Sequence, residues 1–272
     1  MSGAVRLALR WCFAEAGIEV VTWTSQVGNV ASRRVAWASG FTFHGTMPRL
    51  LGAAGPMTEA WIATVVAADD LRPKTRWLTV ATLHGEGVVL RPHVEADIPR
   101  IVEGCSDAAS VHWLSTLPAP YTQDSARTYL DSMPVEESLT RRVAWCIADP
   151  ETDLLLGTLA IFDLGGDDPS CGEIGYWTHP AARGRGVMTT AVRLVVDHGL
   201  TPASQGGLGS RRLQLLAAAG NAASASIARR NGFVEVGRER KAELLGDGSY
   251  DDLLTFDILS EERQLRSPGT SS

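Results

Sequence analysis

A chain of 272 residues exceeds one small domain yet falls short of two average ones, and with 44% apolar and 21% charged residues it can bury a real core. Its formal charge of −6 excludes a surface broadly adapted to a polyanion, so nucleic acid is not an expected ligand, although a local arginine cluster can still hold a phosphate. Cys12, Cys105, Cys146 and Cys171 stand far apart without paired spacing, so neither a zinc site nor a disulfide framework is indicated and a reducing cytoplasm fits best.

Taken in chain order, the N-terminal MSGAVRLALRWCFAEAG is broken by Arg10 and Glu15, so it is not read as a signal peptide, and no later run approaches transmembrane length. A strand is predicted over Glu19–Thr24 and a helix after Asn29. The segment from residue 67 to 86 lacks a clear period and contains Pro73, which suits a linker with at most one short strand. Gly87–Arg91 then reads as a strand and Pro92–Glu103 as a helix. Ser110–Glu137 reads as a loop entering an amphipathic helix capped near Thr122. Arg142–Ala148 and Leu154–Phe162 form a hairpin of mostly buried strands about Asp149-Pro150, and GEIGYWTHP supplies a third strand. Val187, Ala191, Leu194 and Val195 recur at helical spacing, and Leu213–Ala218 returns to strand character. A helix from Asn221 and strands over Phe233–Gly237 and Tyr250–Ile258 complete a mixed α/β sheet.

The chain also contains a repeat. NVASRRVAWASGF from Asn29 matches NAASASIARRNGF from Asn221, 192 positions apart (221 minus 29), and MSGAVRLAL from Met1 matches MTTAVRLVV from Met188. Met1 thus corresponds to a position within a helix of the second copy, and whatever precedes Met188 there has no counterpart in the first. The expected plan is a partial domain over residues 1–66, a linker over 67–86, a complete domain over 87–259 and a disordered tail over 260–272. Either Met1 is an internal site of a longer tandem protein, or a true half domain docks on another surface; its Glu19–Thr24 strand then presents an open edge unless another element covers it.

The chemistry concentrates in HPAARGRGVMTTAVRLVV. Arg183-Gly184-Arg185-Gly186 stands between a strand and a helix, where glycines admit close approach and the helix amides at Val187 and Met188 can receive a pyrophosphate, assisted by Arg183 or Arg185. This segment resembles the acetyl-CoA motif of the GNAT acetyltransferases, with Met188 where that family carries a small residue. EIGYW, LPAPYTQDSA and the Asn-x-x-Ser…Gly-Phe segment at Asn221 are similar to the RimJ/RimL-like branch, which acetylates N-termini of ribosomal proteins. The resemblance covers about Gly87–Ile258 as a complete GNAT acyl-CoA N-acyltransferase fold and Met1 to about Val66 as the C-terminal half of another.

It implies acetyl-CoA as cosubstrate, no metal, and direct attack by an amine in a ternary complex. The tyrosine that many members use as acid is Ala228 here, so Ser224, one turn after Asn221, is the implied general acid. A backbone amide near Trp177 or Thr178 would stabilise the oxyanion. Glu173 shares a strand face with Gly175 and Trp177 and is a candidate base, directly or through water, although a structural carboxylate is the commoner reading of such a residue. Tyr176 points to the opposite face, toward core packing, and His179 reads as structural. Trp113, Pro118, Tyr121 and the Thr122 helix are candidate acceptor walls, with packing an equal reading for Trp113 and Tyr121. Without a strong base, a peptide N-terminus, titrating near ~8, or another weakly basic small-molecule amine is favoured over lysine near ~10.4. The competing expectation is a catalytically silent acyl-CoA sensor or interaction module; no membrane partner is expected, and a homodimer is left open.

Overall fold

The computed structural model describes residues 1–51 and 57–266. It separates into two compact units, one of Met1–Leu78 with Pro134–Thr140 and the other of Thr79–Met133 with Arg141–Ser272.

In the smaller unit, helix α1 (Ser2–Ala14) leads into strand β1 (Val20–Gln26), helix α2 (Val30–Ala38) and strands β2 (Thr42–Leu51) and β3 (Thr58–Val66). The three strands are antiparallel in the order β1-β3-β2. Apolar residues every third or fourth position on α1 and α2 and every second on the strands converge on one core, with Leu9, Ala36, Phe41, Ala63 and Val65 buried and Val21 and Trp23 packed against them. Asn29 Oδ1 accepts the Ser32 N–H at 3.1 Å, which caps α2. Arg33 is buried too, its guanidinium bonded to Ser138 and stacked 4.0 Å over Phe43.

The larger unit begins with β4 (Leu83–Gly85), a short strand within the predicted linker, and β5 (Val88–Arg91). Where the sequence predicts one helix from Pro92, a 3-10 turn over Glu95–Asp97 precedes α3 (Ile98–Ser106), because Asp97 is drawn inward by Arg91, whose two Nη atoms each lie 2.9 Å from its carboxylate. A short helix, α4 (Ala108–Trp113), occupies part of the predicted loop, followed by α5 (Gln123–Ser138), whose residues from Pro134 onward belong to the smaller unit. The hairpin is formed by β6 (Val143–Ala148) and β7 (Leu155–Phe162), whose near-continuous apolar sequences are buried on both faces. Then come β8 (Cys171–Thr178), α6 (Val187–Leu200), β9 (Arg212–Ala218), α7 (Ala222–Arg230), β10 (Val234–Leu244) and β11 (Tyr250–Leu259).

These strands make one sheet in the order β10-β11-β9-β8-β7-β6-β5-β4. Every pair is antiparallel except β8 and β9, which run parallel as the α6 crossover between them requires. Two predicted boundaries need correction. β10 runs to Leu244 rather than stopping at Gly237, since the charged run RERKAE lies on an exposed edge strand where hydrophobic alternation is not needed. Residues 260–266 form helix α8 rather than a tail; residues 267–272 of the predicted tail lie outside the described residues.

Candidate active site

The parallel pair positions the site by failing to persist. β8 and β9 are in register only from Cys171↔Arg212 to Ile174↔Leu215, after which they diverge. Gly175–Thr178 therefore keep β7 as a strand partner on one side while their other side opens into a cavity of about 430 Å³, bordered across the gap by Leu216–Ala218. Unpaired strand peptide groups at the wall of a cavity are ready hydrogen-bonding partners for an extended ligand. Trp177 and Thr178, the candidates for the oxyanion amide, are in this stretch. The Trp177 indole itself packs on the far side with Ile98, Ile101 and Cys105.

The glycine turn follows β8 after a short 3-10 segment over Pro180–Ala182, and Arg183 beside it lines the cavity. Gly184 and Gly186 adopt φ of 74° and 77°, a left-handed conformation open to glycine at little cost, and nothing lies within 4 Å of where a side chain would start at either. Gly186 starts α6 without any side-chain cap, so the first-turn amides of Val187 and Met188 are left for a ligand. Met188 is accommodated because its side chain turns into the core, 4% exposed, leaving only backbone at the turn. The two arginines differ. Arg183 Nη2 lies 2.5 Å from Asp107 Oδ2 and 3.0 Å from Ser110 Oγ, whereas Arg185 makes no side-chain hydrogen bond among the described residues. His179 is fully buried and takes a bond from Arg100 at 3.0 Å on Nδ1, in keeping with a structural role.

Ser224 lines the cavity, 9% exposed, its N–H bonded to the Asn221 cap at 3.1 Å. Its hydroxyl is 2.9 Å from the Tyr176 hydroxyl. This corrects the expectation for Tyr176: it points away from the Glu173 face, but α7 crosses on that side, so the phenol meets Ser224 instead of entering an apolar core. Ala228, where a tyrosine was sought, is wholly buried against the sheet and leaves no room for one.

Two carboxylates share the cavity with Ser224. Burial, followed by the nearby Asp163 and Glu243, raises the pKa of Glu173 above the ordinary carboxylate value. Glu243 is also raised, first by burial and then by Asp251, its cross-strand partner in β10–β11. Sequence reasoning missed Glu243 because β10 was ended too early. Its signal was available: two Glu residues in the short charged run RERKAE before the GDGS turn, opposite a DD pair. Of the predicted acceptor walls, Trp113 lines the cavity, while Tyr121 packs on the Ile98–Ile101–Cys105 core. Among the described residues no group of three or more His, Cys, Asp or Glu could hold a metal, and no helix is long and apolar enough to cross a membrane.

A mixed sheet splayed at one parallel pair, an uncapped glycine turn shortly after the splayed strand and a cavity lined by Tyr176, Ser224, Glu173 and Glu243 are the features that any functional reading must use. Residues 88–234 match the family model described as an acetyltransferase (GNAT) domain, and the chain belongs to that family. In sequence it is 36% identical over 81 residues to the ribosomal-protein-serine acetyltransferase of Escherichia coli, a match covering 30% of this chain and 42% of that protein. It is 32% identical over 90 residues to a Bacillus subtilis protein provisionally named ribosomal N-acetyltransferase YdaF, covering 33% and 46%. The matched stretch thus spans less than half the length of either relative. In structure it is similar to Mycobacterium smegmatis RimJ, solved with a coenzyme A disulfide, at a TM-score of 0.57 and 20% identity over 67% of this chain and 87% of that one. At that identity the likeness shows the fold.

Proposed function

We propose that residues 87–259 form an acetyl-CoA-dependent N-acetyltransferase acting on a primary amine, with the α-amine of a peptide or protein as the favoured acceptor. The observation that carries this reading is the cavity beside the open β8 edge, lined by the paired Ser224 and Tyr176 hydroxyls and by two carboxylates of raised pKa, Glu173 and Glu243. The Gly184–Gly186 turn, the amides of Val187 and Met188 and the Arg185 guanidinium would hold the pyrophosphate of acetyl-CoA, whose chemical contribution is an activated acetyl thioester. Peptide groups of β8 near Trp177 and Thr178 would bind the pantetheine arm and donate to the carbonyl oxygen as charge develops.

The chain's own groups supply the proton traffic. An incoming ammonium must lose a proton before it attacks, and a carboxylate whose pKa has been raised by burial is a better base than an exposed one. Glu243 and Glu173 both fit, and the negative field of the pair also draws a cationic amine into the cavity. On the other side, Ser224 can give a proton to the leaving sulfur and recover it from Tyr176, and the phenol regains its proton from solvent before the next turnover. Burial pushes the Tyr176 phenol up to about 12, so at neutral pH it holds its proton and serves as donor. The tyrosine absent from α7 is in this way supplied by a strand.

The names carried by the similar proteins, which refer to ribosomal-protein acetylation, support a protein acceptor, and the weak bases here support an α-amine. For residues 1–66 we read the C-terminal half of a second such domain, without the turn that would hold a pyrophosphate. The test is thiol release from acetyl-CoA with a panel of peptides bearing different N-terminal residues, against the same peptides with blocked α-amines. Thiol release that requires a free α-amine is expected. Tight acetyl-CoA binding without release on any amine would contradict the enzyme reading and leave a sensor.

A further inference from the structure

Helix α4 is fastened at both ends to parts of the site. At its start, Asp107 Oδ2 accepts the N–H groups of Ala109 and Ser110, each at 3.1 Å, and the same oxygen receives Arg183. Arg183 directly precedes Gly184 in the glycine turn, and it also reaches the buried Ser110 hydroxyl. At the other end, the His112 carbonyl accepts the Gly246 N–H at 2.9 Å, in the turn that joins β10 to β11. That contact admits only glycine, because a Cβ on residue 246 would lie 1.9 Å from the Val111 carbonyl oxygen. Glu243 is three residues before it. Directly after the second anchor, Trp113 lines the cavity.

A helix of six residues has no independent stability, so α4 takes its position from whatever holds its ends. The holders are the turn that would bind the pyrophosphate and the hairpin that carries a candidate base. We propose that α4 is a strut by which occupancy of the Gly184–Gly186 turn orders the acceptor side of the cavity, the Trp113 wall and Glu243, with Arg183 and Asp107 as positioning residues. The inference rests on the acetyl-CoA reading above. Its physical content is that a ligand which stills the turn also stills Arg183, and the Arg183–Asp107 pair passes that order along α4 to Gly246. Arg183 then serves the acceptor, leaving the phosphate to Arg185 and the backbone.

Hydrogen exchange of the full chain with and without coenzyme A separates the two ideas, with Asp107→Asn as the comparison, because Asn retains the helix cap but gives up the charge that holds Arg183. In the unsubstituted protein, coenzyme A should slow exchange at residues 183–190 and also at α4 and residues 243–249. In Asp107→Asn the slowing should remain at 183–190 and disappear from α4 and the hairpin, while the acceptor KM rises about tenfold and the affinity for coenzyme A stays nearly constant. Protection confined to 183–190 in the unsubstituted protein, or unchanged protection of α4 in Asp107→Asn, would overturn the strut and leave the acetyl-CoA reading intact. No slowing anywhere would take down both.

Discussion

The repeat places the same local structure in both units and a cavity cluster in one. α2 and α7 begin alike, at Asn29 with φ −77° and ψ 69° and at Asn221 with φ −83° and ψ 68°, each capping the N–H three residues on. They end alike, with Ala36 accepting from Phe41 at 3.2 Å and Ala228 from Phe233 at 3.1 Å. The strand orders β1-β3-β2 and β9-β11-β10 agree as well. The serines inside the caps have different company. Ser32 accepts from the Trp23 indole at 3.2 Å, a group that donates but cannot accept or relay a proton; Ser224 meets a phenol that does both. Among the described residues of the smaller unit nothing corresponds to β8, which in the larger unit brings that phenol, one of the carboxylates and the open edge. A capped helix with a serine is therefore a piece of folding grammar, and in the proposed mechanism it is the strand beside it that gives the serine a chemical role.

Breaking the larger unit's advantage should have graded effects. Gly186→Val puts a β-branched residue at φ 77° and should weaken acetyl-CoA binding by about 100-fold in a calorimetric titration, since the turn must rebuild to relieve it. Glu243→Gln should lower kcat/KM by about tenfold to 100-fold. The sign of its pH dependence follows from the raised pKa: the base works when ionised, so activity should fall as pH drops through a value above the ordinary carboxylate range, and the Gln variant should lose that limb. Glu173→Gln in the same profile shows which of the two carboxylates sets it. Tyr176→Phe leaves Ser224 its hydroxyl and removes only the group that resupplies its proton, so a kcat loss of about tenfold is expected, with acetyl-CoA affinity unchanged. The smallest effect sharpens the likeness instead: Asn29→Ala and Asn221→Ala should each cost their own unit about 1 kcal/mol in denaturant unfolding, since both remove the same cap.

Much of this was legible in the sequence for a physical reason. β6 and β7 are buried on both faces and α6 is strongly apolar on one, so their patterns follow directly from packing. The glycine turn and the Asn221 cap are backbone devices that need particular residues at particular places. What sequence reading missed depends on crossings between distant segments. Tyr176 alternates away from Glu173 as a strand requires, and only the passage of α7 on that side turns an expected core residue into a partner of Ser224. Glu243 sits on a charged edge strand without hydrophobic period, and α4 is a helix of fewer than two turns fixed by Asp107, Arg183 and Gly246 instead of by its own propensity.

The central claim is that two serines in the same cap differ in function because of their neighbours. Thiol release by Ser224→Ala and Ser32→Ala, assayed side by side at saturating acetyl-CoA with an N-terminal peptide acceptor, tests it most directly. The account predicts a loss of about 100-fold for Ser224→Ala and unaltered turnover for Ser32→Ala. Unaltered turnover in Ser224→Ala, or an equal loss in both, would contradict it.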